Sequence, residues 1–361
     1  MNIAIGMHIH ILYNLRNEPW GGGNQFLNAL RDTWRKMNLY AEQPKGADVI
    51  LFNSYPFGAE YLFRDAVRLK KQFPNKLLIY RLNGPISAIR QTDIEVDQMI
   101  AVFNKAISDG IIFQSSWCQA ANKTTFGIRS VNEKVIHNAP DSSLFNREGR
   151  APIPMPGEKI KLIATSWSSN WRKGFDIYRF LDENLDWNRY EMTFVGNTPI
   201  AFNRIRTIAP IGSEKMSQLL KTHDLFITAS QADPCSNSLV EALACGLPAV
   251  VRNDGGHPEL IKNGGVTFDG VQDVIQAIDR VAKNLEHFKR LIPTYRIETT
   301  AAEYAAFGEQ VAHRVARGEY HPKRVETKTF AYLVWLYLLG LAWLLRRGLK
   351  KIRNNLLSKR T

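Results

Sequence analysis

Short, continuously apolar runs rich in β-branched residues return along this chain at intervals, with helical patterns between them, and that alternation restricts the chain to the α/β class. Ile3 to Ile5, Val49 to Phe52, Leu77 to Tyr80, Gly110 to Phe113 and Val135 to His137 make a first series. Such runs fit strands of a parallel sheet whose two faces are both covered by helices. The proline-spaced segment Ala151-Pro-Ile-Pro-Met-Pro-Gly157 interrupts the series and reads as a hinge. The pattern restarts at Lys159 to Ala164, Met192 to Val195, Leu225 to Thr228, Ala249 to Arg252 and Val266 to Phe268, and an alanine-rich helix is expected from about Glu298 to Arg317. With 361 residues, 45% of them hydrophobic, two cores are the natural expectation. The expected division is residues 1–150 and 158–295 as two doubly wound domains, 296–320 as a closing helix and 321–361 as a tail. In such an arrangement a ligand belongs between the carboxyl ends of the two sheets.

The net charge of +13 invites a nucleic-acid reading, but the excess is concentrated at one end. His321 to Thr361 carries ten Lys and Arg against one acid, Glu326. No zinc knuckle or basic-aromatic signature accompanies it, so nucleic acid is excluded as a partner. The charge-free stretch Phe330 to Leu345 is followed by Arg346, Arg347, Lys350, Lys351 and Arg353. Its sixteen residues make about 24 Å of helix, short of a hydrocarbon core of about 30 Å. Its aromatics and basic end fit a helix lying in or dipping into an anionic leaflet; a helix packed on the protein body or a dimer contact is the other reading. Three cysteines, Cys118, Cys235 and Cys245, show no metal-ligand spacing, and the chain opens without a basic, apolar leader. A cytoplasmic protein, peripheral or monotopic at the inner face of the membrane, is the expectation.

The residues that carry chemistry concentrate at 233–259. Asp233 and Pro234 follow the Leu225 to Thr228 run, and Ser236, Asn237 and Ser238 supply amides and hydroxyls where a helix begins, an arrangement that favours an anionic diphosphate. Glu241 stands about two helical turns beyond Asp233, in reach of a ribose. Taken whole, the stretch resembles the donor-binding signature of GT-B glycosyltransferases of family 4. Asp233 takes the place of that signature's first glutamate, Glu241 the second, and Gly246, Pro248, Gly255, Gly256 and Glu259 fill the remainder. The aspartate withdraws its carboxylate by about one methylene.

That resemblance organises the other motifs. Gly22 and Gly23, within Trp20-Gly-Gly-Gly-Asn24, match a glycine pair that faces the donor diphosphate. Lys173, in Trp171-Arg-Lys-Gly-Phe175, matches a phosphate-binding Lys-Gly, but an arginine common about six residues earlier is replaced by Trp167, leaving Arg172 or the hydroxyls at 165–169 to compensate. Asn83, in Arg81-Leu-Asn-Gly-Pro85, stands where many relatives carry a sugar-contacting histidine, and Asn138-Ala-Pro-Asp141 resembles a structural turn. His8 and His10 share a face and could line the cleft; His257 lies inside the signature as a bystander.

The resemblance implies a GT-B fold, two Rossmann-like domains facing a cleft, and a retaining transferase that moves a sugar from a nucleoside diphosphate sugar to a hydroxyl acceptor. Asp233, Lys173 and Asn83 are expected at the reacting groups. Gly22, Gly23, Arg172, Asn237, Ser238, Leu239, Glu241 and Glu259 are expected to bind the donor. No Asp-x-Asp occurs, so neither a metal nor a cofactor is expected, the donor being a co-substrate. With the tail, the acceptor is expected to be a saccharide or a lipid-linked one. A non-catalytic partner subunit and a nucleotide-sugar epimerase are the competing readings.

Overall fold

The computed structural model describes residues 6–16, 21–53 and 58–357. The first series of elements is β1 (Ile9–Leu12), α1 (Gly21–Lys36), β2 (Val49–Phe52), α2 (Glu60–Gln72), β3 (Leu77–Leu82), α3 (Ile86–Arg90), α4 (Ile94–Ile107), β4 (Gly110–Phe113), α5 (Ser116–Phe126) and β5 (Glu133–Val135). The second is β6 (Ile160–Ser166), α6 (Phe175–Asn184), β7 (Tyr190–Gly196), β8 (Arg206–Ile208), α7 (Ser213–Lys221), β9 (Leu225–Thr228), α8 (Asn237–Ala244), β10 (Ala249–Arg252), α9 (His257–Ile261), β11 (Gly265–Phe268), α10 (Val274–Ala282) and α11 (Leu285–Leu291). Two long helices, α12 (Ile297–Ala316) and α13 (Thr327–Leu357), end the chain.

All strand pairings are parallel. The first sheet runs β1-β2-β3-β4-β5, and Tyr40 bridges Ile9 on the outer side of β1. The second runs β11-β10-β9-β6-β7-β8, so its order reverses between β6 and β9. The carboxyl ends of strands at such a reversal leave a crevice that no connection covers, and this is where ligands sit. The strand expected over 3–5 lies outside the described residues.

Each sheet is buried on both faces. Trp34, Phe26 and Leu30 of α1 join Tyr304, Phe307 and Val311 of α12 on one face of the first sheet; Phe63 of α2 and Phe103 of α4 fill the other. The chain therefore returns to its first domain after completing the second, and the Trp34 indole donates to the Ala301 carbonyl at 3.0 Å. Gly110 permits the approach, because a Cβ there would sit 3.2 Å from the Phe307 ring.

The tail is two-sided. Leu333 and Leu336 of α13 are buried among residues of α2 and α4, whereas Val334, Trp335, Leu338, Leu341, Leu344 and Leu345 are exposed. Its first part, Thr327–Arg346, has mean hydropathy 1.5. The helix is thus packed on the body along one face and apolar along the other. The side chains of Arg347, Lys350, Lys351 and Arg353 lie outside those described.

Candidate active site

A cleft of about 630 Å³ lies between the two sheets, lined from the first domain by Gly22, Gly23, Asn53, Arg81 and Asn83 and from the second by Ser166, Trp167, Lys173, Asp233, Asn237, Ser238 and Glu241. Its second-domain wall is built at the reversal between β6 and β9. After β6 the chain makes a 3-10 turn, Trp171–Lys173, closed by Gly174 at φ +91°. A Cβ on Gly174 would lie 2.2 Å from the Ala229 Cβ, so only glycine lets the turn rest against the end of β9. That contact delivers Lys173 beside the loop after β9: its ammonium donates to Asp233 Oδ2 at 3.0 Å and to Ser230 Oγ at 3.2 Å.

Asp233 lies in the loop before α8. The Gly256 amide donates to its carbonyl at 2.8 Å, and Gly255, at φ +66°, passes so close that a Cβ would stand 2.4 Å from that oxygen. The glycine pair of the signature therefore holds the Asp233 backbone in place. Burial pushes the Asp233 carboxyl up, but the Lys173 ammonium and the neighbouring His257 outweigh it and hold the group below the usual carboxylate range. It is an anion at neutral pH, paired with a cation that remains partly open to solvent.

Helix α8 starts at the cleft floor. Ser236 caps it, its hydroxyl accepting the Leu239 amide at 3.4 Å, and Asn237 and Ser238 follow as the first helical residues. The first turn of a helix leaves N–H groups without intrahelical partners and carries the positive end of the dipole. Gly22 meets this turn from the other domain: a Cβ there would fall 2.5 Å from the Asn237 Cβ. The glycine triplet forms the first turn of α1. Two helix starts thus converge on one point, an arrangement that attracts an anion. Glu241, one turn into α8 rather than two beyond Asp233, accepts no hydrogen bond among the described residues, and burial pushes its carboxyl up to about 8.

The first-domain wall is polar and tightly bonded. The Asn83 Oδ1 accepts from Gln114 Nε2 at 2.6 Å and from Arg81 Nη1 at 3.4 Å. Asn138 donates to Asn237 Oδ1 at 3.1 Å, so the segment expected to be a structural turn contributes a link across the cleft.

Three of the expected donor contacts are placed elsewhere. Arg172 does not line the cleft; its carbonyl accepts the Gln231 amide at 2.8 Å and its Nε is buried without a partner among the described residues. Leu239 is fully buried in the second core, with its amide committed to the Ser236 cap. Glu259 ties the domains together instead: its carboxylate accepts the Ser116 amide at 2.9 Å and meets His137 Nε2 at 2.5 Å. Burial alone would raise its carboxyl, but His137 and the Ser116 amide hold it below the usual range. His10 does not line the cleft either, its Nδ1 lying 2.8 Å from the Ala41 carbonyl, while Trp20 lies outside the described residues. Sequence reasoning passed over Ser230 and Gln114, read Asn138 only as part of a structural turn and gave Arg81 no role. The Arg81 signal was present, as a lone cation ending an otherwise apolar strand.

Known proteins share part of this chain's sequence and its fold. Residues 203–296 match the family of glycosyl transferases group 1. The chain is 23% identical over 191 residues to a probable sucrose-phosphate synthase of Thermosipho melanesiensis, a match covering 48% of this chain and 44% of that protein. It spans about half the length of the curated relatives it first matches. Among solved structures it is similar to a sucrose-phosphate synthase from Thermosynechococcus elongatus, with a TM-score of 0.65, 13% identity and coverage of 85% of this chain and 100% of that one. Anabaena HepE in complex with UDP-glucose gives a TM-score of 0.60 at 16% identity, covering 86% and 100%. The fold is that of the GT-B glycosyltransferases.

Proposed function

We propose that this chain, whose second domain carries a glycosyl transferases group 1 segment, transfers a sugar from a nucleoside diphosphate sugar to an acceptor hydroxyl, with retention at the anomeric carbon and without a metal. The observation that carries the reading is the Lys173–Asp233 pair at 3.0 Å beside two converging helix starts. It offers a cation and oriented amides to an anion, and an ionised carboxylate to a sugar's hydroxyls. A solved neighbour with the same fold holds UDP-glucose, which supports a nucleotide-sugar donor.

The chemistry follows from where charge develops. Breaking the bond between the anomeric carbon and the diphosphate oxygen builds positive charge on the sugar and negative charge on the leaving group. Lys173 and the amides at the starts of α1 and α8 stabilise the departing diphosphate. Asp233 orients the sugar's hydroxyls and supports the cationic centre. Glu241, kept neutral by burial, offers a ribose both a donor and an acceptor. The leaving phosphate takes the proton of the attacking hydroxyl, so the acceptor oxygen bonds to carbon as that proton departs.

The acceptor is a lipid-linked saccharide at an anionic membrane surface. Support comes from α13, whose exposed apolar stripe ends in Arg346, and from its packing on α4. That helix follows α3, whose Ile86 and Ile89 line the cleft. A thermal-shift and donor-hydrolysis screen against UDP-, GDP-, dTDP- and CMP-sugars in EDTA tests the reading. One diphosphate sugar is expected to stabilise the protein and to be hydrolysed slowly. No response from any donor, with lipid vesicles present, overturns it.

A further inference from the structure

We infer that Arg81 sets the polarity of the cleft: it holds the side-chain amides of Asn83 and, through Asn138, of Asn237 with their oxygens turned inward, so that both offer N–H donors to the ligand. The inference rests on the diphosphate-sugar reading above and makes Arg81 a positioning residue for the donor's anionic part.

The guanidinium is buried, and its partners among the described residues are all neutral. Its acceptors are Asn53 Oδ1 at 2.6 Å, Asn83 Oδ1 at 3.4 Å, Gln114 Oε1 and Asn138 Oδ1 at 2.7 Å each, and the Tyr304 hydroxyl at 3.1 Å. A guanidinium has five N–H donors in a fixed fork, and these acceptors use them all. A buried cation with no counter-ion is costly, and neutral dipoles offset that cost only in part. Arg81 therefore leaves positive potential at the base of the cleft it lines.

The same bonds remove every choice of amide orientation. Gln114 gives its oxygen to Arg81 and its nitrogen to the Leu82 carbonyl at 3.1 Å and to Asn83 Oδ1 at 2.6 Å. Asn83 Oδ1 is thereby held by two donors, and only its Nδ2 remains for the cleft. Asn138 gives its oxygen to Arg81 and its nitrogen to Asn237 Oδ1, which fixes Asn237 in the same sense. The Asn237 Nδ2 lies 2.8 Å from the point where a Cβ of Gly22 would sit, between the two helix starts. One buried arginine thus decides that amides from both domains donate. A ligand rich in acceptor oxygens, a diphosphate, suits that edge.

A double-mutant cycle separates this role from simple packing. Inorganic pyrophosphate and UDP are titrated calorimetrically into the wild type, Arg81→Lys, Asn83→Ala and the double variant, each full length. Arg81→Lys and Asn83→Ala are each expected to weaken pyrophosphate by roughly tenfold, the weight of a hydrogen bond to a charged group. The double variant is expected to lose no more than the weaker-binding single, because Arg81 acts through Asn83. Losses that multiply, or an Arg81→Lys protein that binds as wild type does, overturn the inference alone. Wild-type protein that takes neither probe overturns the diphosphate reading and this inference with it. If Arg81→Lys does not fold, Gln114→Met, which keeps the guanidinium but removes one of its acceptors and the shorter of the two bonds holding Asn83, replaces it in the cycle with the same expectation.

Discussion

Among the described residues two lysine–aspartate pairs look alike in composition and differ in everything that decides use. Lys70 and Asp109 meet at 2.5 Å with side chains 1% and 0% exposed. Lys173 and Asp233 meet at 3.0 Å with side chains 29% and 14% exposed. In the first pair every oxygen is spoken for: Asp109 Oδ2 also accepts the Leu78 amide at 2.8 Å, and Oδ1 accepts the Lys323 amide at 2.8 Å and the Tyr320 hydroxyl at 3.1 Å. Burial lowers the Lys70 ammonium, against the opposing pull of Asp109. That pair fastens α2, β3 and the lead into α13 to one point and has no room for a third party. The cleft pair is open on the side where a ligand enters, so an anion can compete with Asp233 for Lys173. A charge pair holds a fold when it is closed and serves a ligand when it is left incomplete.

The sharpest way to break this contrast is at the closed pair. Asp109→Ala strands the Lys70 ammonium and two backbone amides, and is expected to cost about 3–5 kcal/mol in urea unfolding. Turnover per folded molecule should stay unchanged; a selective loss of activity without a stability loss would erase the distinction. At the open pair the pattern reverses. Lys173→Ala is expected to lower turnover by about 10²–10³-fold. Its unfolding free energy should move by only about 1 kcal/mol, since the lysine is partly solvated.

How far these roles were legible in the sequence follows the range of the interactions that create them. Val49–Phe52, Gly110–Phe113, Leu225–Thr228 and Ala249–Arg252 are strands with the bounds their apolar runs announce. β8 was missed because Arg206–Ile208 offers no such run, being an edge strand with two exposed residues. Lys173 and Asp233 were reached through the resemblance and Asn237 through the helix start, and local turns and the Ser236 cap are what bring them to the cleft. Arg172 was misplaced because successive residues of a 3-10 turn point about 120° apart, so neighbours in sequence cannot share a target. Glu259 and Arg81 depend on partners from Ser116 to Tyr304, which no local pattern encodes. The tail's apolar stretch was legible, but not its division into a packed and an exposed face.

Glu241 supplies the finest test of the contrast, because it is a cleft carboxyl with no cation beside it. Its ordinary value is 4.5, and burial pushes it up to about 8. Below the lower value it is protonated whether the chain is folded or not, and folding is indifferent to it. Between the two, the unfolded chain releases a proton that the folded chain keeps, so rising pH favours unfolding by at most about 1.4 kcal/mol per pH unit. Above the upper value both forms are ionised and the penalty stays constant. Glu241→Gln cannot titrate. The variant is expected to match the wild type near the acid end and to gain on it steadily as pH rises, levelling off above about pH 8. Taking the difference between the two proteins in urea unfolding from about pH 5 to pH 9 cancels every other titrating group. UDP affinity should fall in the wild type, and not in the variant, as the carboxyl ionises, loses the proton it offers the ribose and adds a negative charge to the cleft that takes an anion. A flat difference curve would mean that Glu241 is already ionised at neutral pH, and the cleft would then hold a second anion beside Asp233.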